Sequence, residues 1–512
     1  MSSRVSRRIT RAALRLTVVG ACALGLVAGP SMASVAADPP PTPPASGDSA
    51  HGGPSLDDVH NIPTNAVAGD VTFVDNVRGV SGYSALNFIH YEKYGYDFMF
   101  ANGTGGLAIW SLKDKEHPAF IAKVTAAQLR VPGDTQDRFW EGENITVDPK
   151  RKLVFMSRDP RGFGGTLTTG QSGFYIIDVK NPWQPRIVLF HPVPAGHTST
   201  CIDDCKYIWT VGPYSTGTPG NDPSWTPQPP YALPRGGVPL WVTDIHDINH
   251  PFTYSEPIDL DRFDGQTSYV HSVDVDRNGV AWVAGEGGDR GYWTKGLHWD
   301  PVLKENRVAT AYNPVPYAGG VSSTTPGAGD DFFAYFDHNA QHVTWKLGNH
   351  PAGDLLLITN ENITTCSQAG ELKIESLDGS FDGAGWRSTP QNPFRLKLVG
   401  HYTAWGQEGS FTTNGSCSAH WFTVNGNIVA QAWYAQGTRF IDISDPEHPK
   451  QVGYFRIPSG TTGVTSGSAS APYWHDGLVY VADYNRGVDV LRFNGTITGH
   501  PDGKICWNSC DN

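Results

Sequence analysis

Short apolar runs of four residues, each bounded by turn-forming residues, recur along this chain. They are Phe98–Ala101, Leu153–Met156, Tyr207–Thr210, Val280–Val283, Leu355–Ile358, Ile428–Gln431 and Leu478–Val481. Runs this short read as buried strands and not as helices. The fullest unit around one of them is residues 420–455, HWFTVNGNIVAQAWYAQGTRFIDISDPEHPKQVGYF, which predicts four strands in succession. Seven imperfect copies of that unit, spaced roughly 50 to 75 residues apart, predict an all-β fold, a seven-bladed β-propeller of four-stranded blades.

The third strand of the unit carries a glycine followed five residues later by a polar position. The pairs are Gly106/Ser111, Gly173/Asp178, Gly370/Glu375, Gly437/Asp442 and Gly487/Arg492. A proline lies seven residues beyond that polar position in Ser111/Pro118, Asp178/Pro185, Asp244/Pro251 and Asp442/Pro449. An aspartate there can accept from turn amides, and proline fixes φ where the outer strand begins. A carboxylate that recurs in blade after blade at a turn is read as holding the turn and not as a general acid or base. The segments GLAIWSLKDKEHPAFIAKV, GFYIIDVKNPWQPRIVLF and GTRFIDISDPEHPKQVGYF resemble LVIVD-type repeats of secreted and surface bacterial proteins, over most of residues 70–495. That resemblance implies the propeller and carries no catalytic motif.

The blades are expected to begin near Asn87, Glu143, His197, His271, His338, His420 and Ser468, within a propeller of residues 67–498. GDVTFVDNV (69–77) reads as an outer strand that completes the last blade, so that the two chain ends close the ring and remove its sheet edges. The carboxyl tail, 496–512, of which 499–512 lies beyond the propeller, is expected to cap that seam. Residues 212–238, 285–336 and 376–417 read as long insertions. Trp225, Tyr231, Tyr292 and Trp293 within them are candidates for stacking on sugars or for packing the loops onto the body.

The amino terminus changes the picture of where the protein works. Arg4, Arg7, Arg8, Arg11 and Arg15 precede an apolar run from Leu16 to Ala28 and small residues around Ala36. That is the pattern of a signal peptide over 1–37. The apolar run continues past Cys22, which argues against lipid attachment there. Residues 38–66 are a Pro-, Ser- and Gly-rich leader. No later run reaches the ~20 apolar residues of a membrane span. The expectation is an exported, extracellular monomer, with cell-envelope association as a variant. Removing five arginines takes the net charge from −12 to −17. An acidic body without basic clusters argues against nucleic acid as a partner and leaves a small molecule, a glycan or a protein. Six cysteines follow Cys22, an even number that favours disulfides in an exported chain; the expected pairs are Cys201–Cys205, Cys366–Cys417 and Cys506–Cys510.

The candidate chemistry comes from aligning the innermost strands on the turn that follows them. HSVDVDRNG then sets His271 opposite Glu143 of ENITVDPKR, and HTSTCIDDC, DHNAQHV and SAHWFTVNG bring His197, His338 and His420 into the same column. First residues of inner strands converge on a propeller's axis. Imidazole and carboxylate together suit a borderline cation such as copper, zinc, iron or nickel. Second-strand ends point to the same face and add Arg158, Asp159, Glu286, Glu361, Tyr434 and Tyr484 as outer contacts or ligand grips. Asp274, Asp276 and Asn278 mimic half of a calcium loop, but the matching residues of other copies make a hairpin turn the better reading.

Several readings of the histidine column stand open: a transition-metal centre with oxidoreduction as one use of the ion, a structural ring in which each His bonds the neighbouring blade, and contacts to an organic ligand. At the level of function the metal-binding propeller competes with a metal-free adhesion or envelope scaffold. A glycan-cleaving enzyme built on Glu143 with Glu361 or Asp159 is a third reading, and it requires two carboxyls facing each other across a groove.

Overall fold

The computed structural model describes residues 67–78, 82–139, 142–212, 240–254, 258, 270–285, 288–301, 303–320, 336–361, 370–378, 380, 396–410, 418–457 and 467–499. Among the described residues seven antiparallel blades follow one another along the chain, as the repeat predicts, six of four strands and one whose four are joined by a fifth. Their inner strands are Tyr83–Tyr91, Ile145–Asp148, Thr198–Ile202, Val270–Val275, Asp337–Val343, Phe422–Asn425 and Ala469–His475, heading blades one to seven. Among the described residues no helix is long and apolar enough to cross a membrane.

Ring closure works as the sequence suggests. Val71–Val77 pairs with Gly487–Phe493 and becomes the outer strand of blade seven. The preceding strand, Val67–Gly69, adds a fifth strand to blade six by pairing with Tyr454–Arg456, a contact not visible in the repeat pattern. The described part of the carboxyl tail reaches blade six, where the Thr498 amide donates to Asn427 Oδ1 at 2.6 Å. The rest of the tail lies outside the described residues, as do residues 1–66, Trp225, Tyr231 and the cysteines 366, 417, 506 and 510. Cys201 and Cys205 are joined by a disulfide.

The repeat glycine has a steric cause. Gly437 has φ +78°, and a Cβ built on it would stand 2.1 Å from the Phe455 carbonyl of the outer strand. Gly106 repeats this with φ +112° and 2.2 Å to the Val124 carbonyl. Only glycine takes that backbone conformation so close to a neighbouring strand. The polar position five residues on does hold the turn: Asp178, Asp244 and Asp442 accept from the amides of Lys180, His246 and Ser444. Asp276 likewise accepts from the amides of Asn278 and Val280 and from the Trp282 indole, which makes the calcium-like run a turn.

The core lies between blades and not within one sheet. Phe98, Phe100 and Ile109 of blade one pack on Val154, Met156 and Tyr175 of blade two, all essentially buried. Phe440 of blade six stacks on Phe493 of blade seven with ring centroids 5.1 Å apart. Each such side chain contributes about 1.5–3 kcal/mol by leaving water. Nearer the axis the blades are stitched by polar groups on inner strands that donate to carbonyls of the next blade. Examples are Asn87 to Ile145, Thr198 to His271, Thr200 to Val273, Ser272 to His338 and Ser470 to Ser84, at 2.7–2.9 Å.

Two expectations need correction here. Tyr292 and Trp293 belong to the third strand of blade four, Asp289–Trp293, and not to an inserted loop. Tyr292 is buried, and Trp293 stacks on His298 with ring centroids 4.1 Å apart. The insertion proper is a hairpin, Gly296–Asp300 with Glu305–Ala309, between the third and fourth strands of that blade. The second correction concerns where blades one and seven begin, and it follows from the geometry of the site.

Candidate metal centre

Pairing between the first and second strands breaks at one residue in four blades. The register skips Ser84 in blade one, His271 in blade four, His338 in blade five and Ser470 in blade seven. A β-bulge leaves its extra residue out of the ladder and re-aims the side chain. Here the skipped residue is the column residue, at the head of the strand. Ser84 and Ser470, not Asn87 and Ser468, therefore hold the column position in blades one and seven. Asn87 lies three residues further along and spans to blade two.

The bulges and strand heads bring the predicted column together. Oε2 of Glu143 lies 3.5 Å from His197 Nε2, 3.3 Å from His271 Nε2 and 3.2 Å from His338 Nε2, and Oε1 lies 3.4 Å from His420 Nε2. His197 Nε2 and His271 Nε2 are 3.1 Å apart. None of the five residues is more than 5% exposed. Glu143, His271 and His338 form one group able to hold a metal ion, and His338, Glu361 and His420 form another.

The outward ring nitrogens decide what the inward ones present. His271 Nδ1 faces the His338 carbonyl at 2.8 Å and His420 Nδ1 faces the Ser470 carbonyl at 2.7 Å. A carbonyl only accepts, so both Nδ1 atoms carry the proton. His197 Nδ1 donates to the Asp159 carboxylate at 3.0 Å, and Asp159 is in turn gripped by Arg161. His338 Nδ1 lies 3.4 Å from Asn339 Oδ1. With Nδ1 protonated, a neutral imidazole offers only a lone pair at Nε2. Among the described residues His420 Nε2 is buried without a hydrogen-bond partner. Lone pairs aimed at a carboxylate and at one another are repulsive unless protons or a cation lie among them.

Without an ion, protons fill that role. Burial alone would keep Glu143 neutral, but the charges of His420 and His197 and a bond from His197 hold its carboxyl well below the usual range. Burial pulls His197 down, yet Glu143 and Asp159 outweigh it and push the ring up to about 10. His420 is raised too, Glu143 again overcoming burial. His271 is drawn down to about 4, chiefly by burial, and His338 falls well below its usual value through burial and the two neighbouring imidazoles. The carboxylate thus favours the charged form of His197 and His420, while burial holds His271 and His338 toward the neutral form. Burial raises Asp159, but Arg161 and His197 bring it down to about 2, so it stays ionised behind His197.

Of the outer residues read from the sequence, four reach the cluster. Asp159 holds His197. Tyr484 donates to Glu143 Oε1 at 3.3 Å, and Tyr434 donates to Glu361 Oε1 at 2.7 Å. Glu361 Oε2 stands 3.9 Å from His338 Nε2. Arg158 does not reach it: its guanidinium goes to Asp134, Tyr175 and the Gln171 carbonyl. Glu286 lies outside the described residues. One residue the sequence reading missed is Trp421, whose indole N–H donates to Glu143 Oε2 at 3.3 Å. Its ring lies 5.0 Å from that of His338. An aromatic residue directly after a column histidine was its only signal.

No protein-family model matches the chain and no curated protein matches it. Among solved structures, the chain is similar to the C-terminal WD40 domain of Sif2 (TM-score 0.43, 10% identity, covering 83% of this chain and 99% of that one). It is also similar to the WD40 β-propeller domain of Doa1 (0.41, 8%, 82% and 96%) and to a protein from Lactobacillus plantarum (0.42, 8%, 75% and 87%). The chain is thus a seven-bladed β-propeller by its own strand pairing, with a buried His/Glu group on the axis able to hold a metal ion.

Proposed function

We propose that this protein is an exported transition-metal-binding propeller in which His197, His271, His338, His420 and Glu143 hold one divalent first-row ion. The observation that carries the reading is the pinning of Nδ1. Three of the four imidazoles spend that nitrogen on fixed oxygen acceptors, so their Nε2 lone pairs converge on one carboxylate. A histidine whose far nitrogen is held by a carboxylate or carbonyl is oriented as metal-ligating histidines are. Imidazoles with one carboxylate suit copper, nickel, iron or zinc and not magnesium or calcium, which require mostly oxygen ligands.

The structural-ring reading accounts for the Nδ1 bonds of His271 and His420 but not for four Nε2 atoms gathered on one carboxylate. A hydrolase built on Glu143 loses support because that carboxylate is buried among four rings and not open to a groove. Oxidoreduction is one use of such an ion, and the amino-terminal signal pattern and the LVIVD resemblance support export.

Protein purified without a histidine tag should carry about one equivalent of a first-row metal, read by elemental analysis. A His271→Ala, His420→Ala double variant that still folds should lose it. Less than a tenth of an equivalent in the unaltered protein after metal-replete growth, and no uptake on titration, would leave only the metal-free scaffold.

A further inference from the structure

The donors are not spread evenly round the axis. Glu143 and the four histidines come from blades two to six, and blades seven and one place serines at the same position. Those hydroxyls are turned to backbone carbonyls: Ser84 to Gly142 at 2.9 Å and Ser470 to Ser84 at 2.8 Å. The sector between blades six and two therefore has no column ligand.

The groups around the cluster also differ. Trp421, 6% exposed, lies against Glu143 and His338. Glu361, Tyr434 and Tyr484, all half-buried, follow the second strands of blades five, six and seven and approach His338, His420 and Glu143 respectively. The two phenol rings lie at 20° with centroids 6.1 Å apart, and Tyr434 sits 4.6 Å from the His420 ring. Tyr434 adopts φ +43°, the left-handed region that a bulky residue seldom enters. The Gly437 and Ala469 amides, both donating to its carbonyl, hold it there. Strain of this kind persists where surrounding contacts over-determine it, and here the result is a phenol set beside the cluster.

Resting on the metal-binding reading, we infer that the ion keeps one coordination position on the tyrosine side open to a small monoanionic ligand, of the class of hydroxide or azide. Tyr434 and Tyr484 supply the hydrogen-bond donors for it. A divalent ion with one ligating carboxylate leaves a single buried positive charge, which a monoanion neutralises. The two hydroxyls donate to carboxylates, Tyr434 to Glu361 and Tyr484 to Glu143. Glu361, 3.9 Å from His338 Nε2, is the protein group that competes for the position. Its conversion to a neutral amide should strengthen anion binding.

The test is an azide titration of protein reconstituted with copper(II), followed by visible absorption and electron paramagnetic resonance, with metal content measured for every variant. The unaltered protein should show a saturable spectral change. Tyr434→Phe and Tyr484→Phe should keep their copper and bind azide roughly 5- to 10-fold more weakly, the loss of one hydrogen bond each. Glu361→Gln should bind it more tightly. A copper-loaded protein whose spectrum azide does not alter overturns this inference and leaves the metal reading standing, as does equal azide affinity in all three variants. A protein that takes up no copper or other first-row ion overturns both.

Discussion

Proton competition at the cluster should make metal binding steeply pH-dependent. His197, pushed up to about 10, carries its proton at neutral pH, and an entering ion must displace it. At pH 7 the charged ring outnumbers the neutral one by about a thousandfold, a cost of about 4 kcal/mol on metal affinity. Going from pH 7 to pH 9 recovers about two decades of that through His197 alone. His420, also raised, acts in the same direction. His271 and His338 are already neutral in this window and add nothing. The logarithm of the apparent association constant should therefore climb by between about one and two for each pH unit from 7 to 9. Competition against a chromophoric chelator of known proton affinity reads this slope. Calorimetry in buffers of different ionisation heat reads the protons released. An affinity flat in pH, with no proton release, would show that the imidazoles are not held as the hydrogen bonds imply.

The same pinning predicts the opposite trend for stability without metal. A raised pKa in the folded state stabilises fully below the unfolded value, and the benefit is lost as pH rises through about 10. The melting temperature of metal-free protein should fall from pH 7 to pH 10, and that of the loaded protein should fall less. Asp159→Asn keeps an acceptor for His197 Nδ1 but removes the charge behind it, so metal affinity at pH 9 should drop by about 10- to 100-fold in chelator competition. Phe440→Ala empties the stack on Phe493 and Trp474, which should cost about 3–5 kcal/mol in denaturant unfolding and leave metal stoichiometry unchanged. Replacing Cys201 and Cys205 together by serine opens a bridge with a sequence separation of only 4. That should cost about 2 kcal/mol in the same assay.

Strand periodicity and the repeat glycine made the wheel legible, because both reflect local sterics that each blade must satisfy alone. The closing strand at 71–77 was legible for the same reason, as it repeats an outer strand. Val67–Gly69 was not, since its partner is an outer edge and it belongs to no repeat. The column Glu143, His197, His271, His338 and His420 could be read because a shared turn fixes the register of each inner strand. Blades one and seven misled on this point. The aligned residue there is serine, whose place is set by a bulge that the sequence does not mark. Arg158 shows the limit at the second-strand ends. Position says which face a residue reaches, but Asp134, 24 residues earlier and outside the repeat's strands, decides where the guanidinium turns. Trp421 escaped because an aromatic beside an inner strand more often packs the core.

The central claim is that four imidazole Nε2 atoms meet one carboxylate on the propeller axis in order to hold an ion. Anomalous diffraction from crystals of untagged protein, collected on either side of a first-row absorption edge, tests it most directly. One peak bonded to Nε2 of His197, His271, His338 and His420, with Glu143 beside it, is the expected result. No peak at any edge after soaking with copper, nickel, iron and zinc, with protonated rings bonded to Glu143 in its place, would contradict it.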